Sequence, residues 1–232
     1  MRPVRPSGRQ DLWTLAHYVE ELHQVRTALG LHEVHLLGQS WGAAVVVEHA
    51  LGLQSAGVAS LILSGPLLCT RSWLADQKAY IDLLPKKTGD VIRTSEASGD
   101  FSSEAYQTAM TEYYQKHVCR LQPWPECLHR AMAKLNPAVY QHMWGPSEFT
   151  VTGSLRDFDR SDRLHELSMP VLLTCGEYDE AAPKTVQFFA SRMPKAETRV
   201  FAGASHEHHL EKTGQYLTAL RDFLSQRQAP CS

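Results

Sequence analysis

The sequence predicts an α/β fold, a parallel sheet covered by helices, with a long helical insert dividing it. Three observations carry this. Short apolar runs alternate with amphipathic stretches at both ends of the 232-residue chain. That alternation stops between residues 67 and 157, where aromatics and prolines take over. One apolar run also passes directly into a glycine-flanked serine and a second apolar stretch, the pattern of a strand turning sharply into a helix.

Residues 14–29 form the first predicted helix. Leu15, Val19, Leu22, Val25 and Leu29 recur at three- and four-residue spacing, and Gly30 stands where a helix stops. EVHLL at 33–37 is a short strand, followed by Gly38-Gln39-Ser40-Trp41-Gly42 and a helix-compatible apolar segment at 43–51. VASLIL at 58–63 is a buried strand closed by Ser64-Gly65-Pro66. In the insert, Pro85, Pro123, Pro125 and Pro137 break several helical stretches. The clearest of these covers 103–118, with Tyr106, Met110, Tyr113, Tyr114 and His117 on one side. The alternation then returns: a strand at 171–174, a helix at 184–193, a strand at 198–201 and a closing helix at 209–224. Leu217, Leu220 and Leu224 should form the buried stripe of that last helix. Residues 1–66 and 158–232 are thus expected to build an α/β core, and 67–157 a helical cap insert.

The net charge of −2 creates no field that would recruit nucleic acid or anionic lipid, so neither partner is expected. MRPVRPSGRQ at the start lacks the apolar stretch of a secretory signal, and the run at 43–47 is too short to span a bilayer. The five cysteines (Cys69, Cys119, Cys127, Cys175, Cys231) are odd in number and form no C-x-x-C pair. A reducing, cytoplasmic setting is therefore expected, with Cys175 in the core.

Gly38 to Gly42 matches G-x-S-x-G with a strand before it and a helix after it, the context that makes Ser40 a candidate nucleophile. The Trp41 backbone N–H would open the helix and face a developing oxyanion. A serine needs a base, and the base an orienting acid, in chain order serine, acid, histidine. The strand at 171–174 leads into Cys175-Gly176-Glu177-Tyr178-Asp179-Glu180, and the strand at 198–201 into Ala202-Gly203-Ala204-Ser205-His206. Asp179 and His206 are the preferred pair, at the carboxyl ends of strands where sites on parallel sheets assemble. Glu177 and Glu180 compete for the acid role. His206, His208 and His209 could alternatively suggest a metal cluster, but no H-E-x-x-H helix or nearby cysteine supports one. No cofactor is expected, and His208 and His209 are read as the start of the last helix.

At these residues the chain resembles the proline iminopeptidase family, built on the α/β-hydrolase fold. The matching segments are LLGQSWG, NPAVYQHMWGPSEFTVTGSLRDFD, CGEYDE and FAGASHEHH, and the likeness runs from Leu12 to Leu224. The resemblance implies removal of an N-terminal residue, proline above all, from small peptides with a free N-terminus. It also implies two glutamates that hold the substrate ammonium, at positions matching Glu148 and Glu180. Trp73, Tyr106, Tyr140 and Trp144 would wall a pocket for the proline ring. General esterase or lactonase activity on the same fold is the alternative.

Only 39 residues precede Ser40, and they hold one helix and one strand. The family places several strands and an HGGPG-type oxyanion loop before that point. The resemblance therefore implies a partial sheet whose N-terminal strands are missing. The strand at 33–37 would then carry a free edge prone to self-association, and catalysis would be impaired in this short form.

Overall fold

The computed structural model describes residues 9–52 and 56–226, and within them four parallel strands form one sheet. They are β1 (Val34–Gln39), β2 (Val58–Ser64), β3 (Val171–Gly176) and β4 (Ala196–Phe201), paired in chain order. The expectations placed on residues 1–8 and on Cys231 lie outside the described residues.

β2 and β3 are buried along nearly their whole length. Leu61, Leu63, Leu173 and Cys175 belong to the main core on one face, and Ile62 and Leu172 pack against Phe223 on the other. Two-sided burial explains why these strands read as continuous apolar runs, each buried leucine contributing about 1.5–3 kcal/mol. β1 hydrogen-bonds only to β2 among the described residues, and Leu37 on it is 48% exposed.

Helices α1 (Leu15–Ala28) and α2 (Trp41–Leu51) flank β1 in sequence. Thr14 caps α1, its hydroxyl accepting the His17 N–H at 3.2 Å. Leu15, Tyr18 and Leu22 pack on the core, but Val25 and Leu29, expected in the buried stripe, are exposed. The inward position of the last turn belongs to Arg26 instead. Its guanidinium lies 2.7 Å from His49 Nε2 on α2 and donates to the Ala56 carbonyl at 2.8 Å.

Between β2 and β3 run α3 (Thr70–Asp82), α4 (Lys86–Ser98), α5 (Glu104–His117), α6 (Glu126–Lys134) and α7 (Pro137–Met143). Ile81, Leu84, Ile92, Ala109 and Tyr113 give this segment its own small core. After β3 come α8 (Pro183–Ser191), then, beyond β4, α9 (His208–Glu211) and α10 (Thr213–Ser225). The single closing helix expected at 209–224 is thus two. Lys212 leaves the helical region (φ −130°, ψ 43°), and the Thr213 hydroxyl donates back to the His209 carbonyl at 2.8 Å. The break rotates the stripe: Tyr216 and Phe223 are buried, while Leu217 is exposed. Among the described residues, no helix is long and apolar enough to cross a membrane.

Candidate active site

Ser40 sits at the junction of β1 and α2 with φ 54° and ψ −123°, a conformation that costs a residue with a Cβ about 1–3 kcal/mol. The surroundings hold it there. Its N–H donates to the Ser64 carbonyl at 2.8 Å, and its carbonyl accepts from Ala43 N at 3.0 Å and Leu67 N at 3.2 Å. A Cβ on Gly38 would come within 2.3 Å of the Gly42 carbonyl oxygen, so only glycine lets strand and helix approach this closely. Trp41 is the first residue of α2, so its N–H has no intrahelical acceptor and lies at the positive end of the helix dipole.

Asp179 follows β3 and His206 follows β4, and the two meet: His206 Nδ1 is 2.8 Å from Asp179 Oδ1. Asp179 is fully buried and its carboxylate is saturated with donors. Oδ1 also accepts from Ala181 N at 2.9 Å, and Oδ2 accepts from Gly176 N at 3.1 Å. Burial alone would raise the Asp179 carboxyl, but the His206 ring, and after it the His208 ring, hold it below the usual carboxylate range. Burial likewise disfavours a charged His206, yet the adjacent carboxylate more than offsets it and raises the imidazole above its ordinary 6.5.

Two residues of this arrangement escaped the sequence reading. His208 starts α9 as expected, but it is fully buried, with Nδ1 3.3 Å from Asp179 Oδ2 and Nε2 2.9 Å from Ser64 Oγ and 3.0 Å from Thr174 Oγ1. Its spacing from His206 gave no sign of this. Gly65, read only as part of a strand end, has φ 53°, and a Cβ there would lie 2.7 Å from His206 Nδ1. The bare backbone makes room for the His206–Asp179 pair.

Ser40, Trp41, Glu148 and Glu180 all line one cavity of about 640 Å³. Trp73, Tyr140 and Trp144 wall it as the resemblance implied, and the Trp73 ring also meets His206 edge-on at 5.7 Å. Tyr106 does not reach it. It is buried within the insert, where its hydroxyl donates to Glu96 at 2.5 Å. Glu148 accepts from the Tyr140 hydroxyl at 2.9 Å, and Glu180 is buried with Oε1 lacking any hydrogen-bond partner among the described residues. Burial raises both carboxyls, and for Glu180 the nearby Glu148 charge raises it further. Glu177, a competitor for the acid role, is exposed and accepts the Gly203 N–H at 2.8 Å instead of touching His206.

The chain matches the family model described as alpha/beta hydrolase fold over residues 4–213. It is 40% identical over 215 residues to a proline iminopeptidase of Heyndrickxia coagulans, covering 92% of this chain and 74% of that protein. A proline iminopeptidase of Clostridium botulinum is 33% identical over 220 residues, covering 94% and 75%. Among solved structures, the proline iminopeptidase of Mycobacterium smegmatis superposes with a TM-score of 0.89 at 38% identity, covering 96% of this chain and 75% of that one.

Proposed function

Since this chain belongs to the proline iminopeptidase family of α/β-hydrolases, we propose that it is a serine aminopeptidase that releases N-terminal proline from small peptides through an acyl-enzyme. The observation that carries this reading is the bare Glu180 Oε1, buried in the same cavity wall as Ser40 and Glu148. A buried carboxylate oxygen without a donor is costly, and an ammonium group meets that need. Ser40 attacks the carbonyl carbon while His206 takes its proton, Asp179 orients the ring, and the Trp41 N–H receives the oxyanion. His206 then protonates the leaving amine, and a water releases proline by the reverse path. Helices α3–α7 serve as the cap in this reading, since they and the segment after them carry Trp73, Tyr140, Trp144 and Glu148 to the cavity.

The test is selectivity. Glu148→Gln is expected to cost proline p-nitroanilide about 2–5 kcal/mol of transition-state binding, roughly 30- to 5,000-fold in kcat/KM. Turnover of p-nitrophenyl acetate, which has no ammonium, should fall far less, so the anilide-to-ester ratio drops. Parallel losses on both substrates would favour a general esterase.

The edge of β1 that has no partner strand among the described residues supports a second proposal, that the chain self-associates through it. Light scattering at micromolar concentration should report an oligomer or aggregate, and Leu37→Lys should shift it toward monomer. A wild-type monomer at that concentration would refute this. The unpaired cysteines Cys69, Cys119, Cys127 and Cys175 support a reducing, cytoplasmic setting.

A further inference from the structure

We infer that Glu96 on α4 is a positioning residue for substrate selection, acting through the loop that carries Glu148. This rests on the reading of Glu148 as a ligand for the substrate ammonium.

The segment 145–150 contains neither helix nor strand. Its shape depends on side-chain bonds, and Ser147 is their hub. The Ser147 hydroxyl oxygen accepts from Phe149 N at 3.3 Å and from Thr150 N at 3.1 Å, so it closes a small turn around Glu148. Its proton goes to Glu96 Oε2 at 2.7 Å, and the same oxygen accepts from Thr150 Oγ1 at 2.5 Å. The other Glu96 oxygen accepts from Tyr106 on α5 at 2.5 Å. One carboxylate thus ties residues on both sides of Glu148 to two helices.

Glu96 itself does not line the cavity; Glu148 does. Tyr140 and Trp144 hold Glu148 from the other direction, the former through its carboxylate and the latter by donating to its backbone carbonyl at 3.3 Å. These bonds come from α7 and the residue after it. Phe149 also meets Tyr113 on α5 edge-on at 4.9 Å, so without Glu96 the loop would keep that apolar contact but lose the hydrogen bonds that fix it to α4. A carboxylate that must meet an ammonium at hydrogen-bond distance does not tolerate such slack. A displacement of about 1 Å at a positioned group can cost about 10²-fold.

The experiment compares wild type, Glu96→Ala, Glu96→Gln, Thr150→Val and Glu148→Gln on proline p-nitroanilide and p-nitrophenyl acetate, with thermal unfolding as a check on folding. Glu96→Ala should lower kcat/KM for the anilide about 10- to 100-fold, mainly through KM, and lower the anilide-to-ester ratio accordingly. Glu96→Gln keeps one acceptor oxygen and should recover part of the ratio. Thr150→Val removes one bond at nearly constant volume, so a smaller drop in the ratio is expected from it even if Glu96→Ala does not fold. A selective loss in Glu148→Gln with an unaltered ratio in the Glu96 and Thr150 variants would overturn the inference alone. An unaltered ratio in Glu148→Gln would overturn the ammonium reading and the inference with it.

Discussion

Ser40→Ala should lower kcat by about 10⁶-fold and abolish labelling by a fluorophosphonate probe, while the protein keeps its fold. The size follows from the way a nucleophile and its base act as a unit: removing the nucleophile alone costs about as much as removing the whole set. Retention of the fold follows from what holds the turn. The Ser40 backbone makes bonds to Ser64, Ala43 and Leu67 through its N–H and carbonyl, and alanine preserves all three. The strained φ of 54° is imposed by those bonds and by the Gly38–Gly42 contact, not by the hydroxyl. Labelling is the sharper readout because it does not depend on the substrate. A Ser40→Ala protein that still reacts with the probe would remove Ser40 from the mechanism, whichever peptide or ester is turned over.

What could be read from the sequence was what depends on local pattern. Ser40 was legible because G-x-S-x-G between a strand and a helix has one structural meaning, and β2 and β3 because burial on both faces leaves them mainly apolar, with Ser60, Ser64 and Thr174 the buried polar exceptions. Asp179 and His206 are legible as positions after strands, and chain order already favours Asp179 over Glu177; what the fold adds is the contact itself, with His206 on Asp179 and Glu177 turned to Gly203. The misreadings share a cause. Spacing alone points Val25, Leu29 and Leu217 inward, but Arg26 and the break at Lys212 reset which face turns in. Residue type points Tyr106 to the cavity, but its hydroxyl is bound to Glu96. His208 and Gly65 were invisible because their roles come from atoms far away in the chain, Asp179 for one and His206 for the other.

Asp179→Asn should reduce kcat by about 10⁴-fold and move the acid limb of kcat/KM to lower pH. The rate loss follows from counting donors. In the wild type, every group facing Asp179 donates: Ala181 N and His206 to Oδ1, Gly176 N and His208 to Oδ2. Asparagine replaces one acceptor by an NH₂ group. If that group faces Gly176 and His208, it opposes a backbone N–H that cannot turn away. If it faces His206, it donates to Nδ1, forces the proton onto Nε2 and leaves the ring unable to accept from Ser40. The pH shift has a separate origin. The base must be neutral to act, so kcat/KM rises with pH through the His206 pKa, which burial lowers but the Asp179 charge raises above 6.5 overall. Removing that charge while keeping the burial lowers the His206 pKa, so the residual activity should persist to lower pH than in the wild type. Measuring the ester takes ammonium binding by Glu148 and Glu180 out of the profile; the Glu180 charge also raises His206, but it is present in both proteins, so the shift between them reports the Asp179 charge. Glu177→Gln is the control: an exposed side chain bound to Gly203 should cost no more than a few-fold. A loss at Glu177 as large as at Asp179, or an acid limb that stays in place in Asp179→Asn, would take the orienting role away from Asp179.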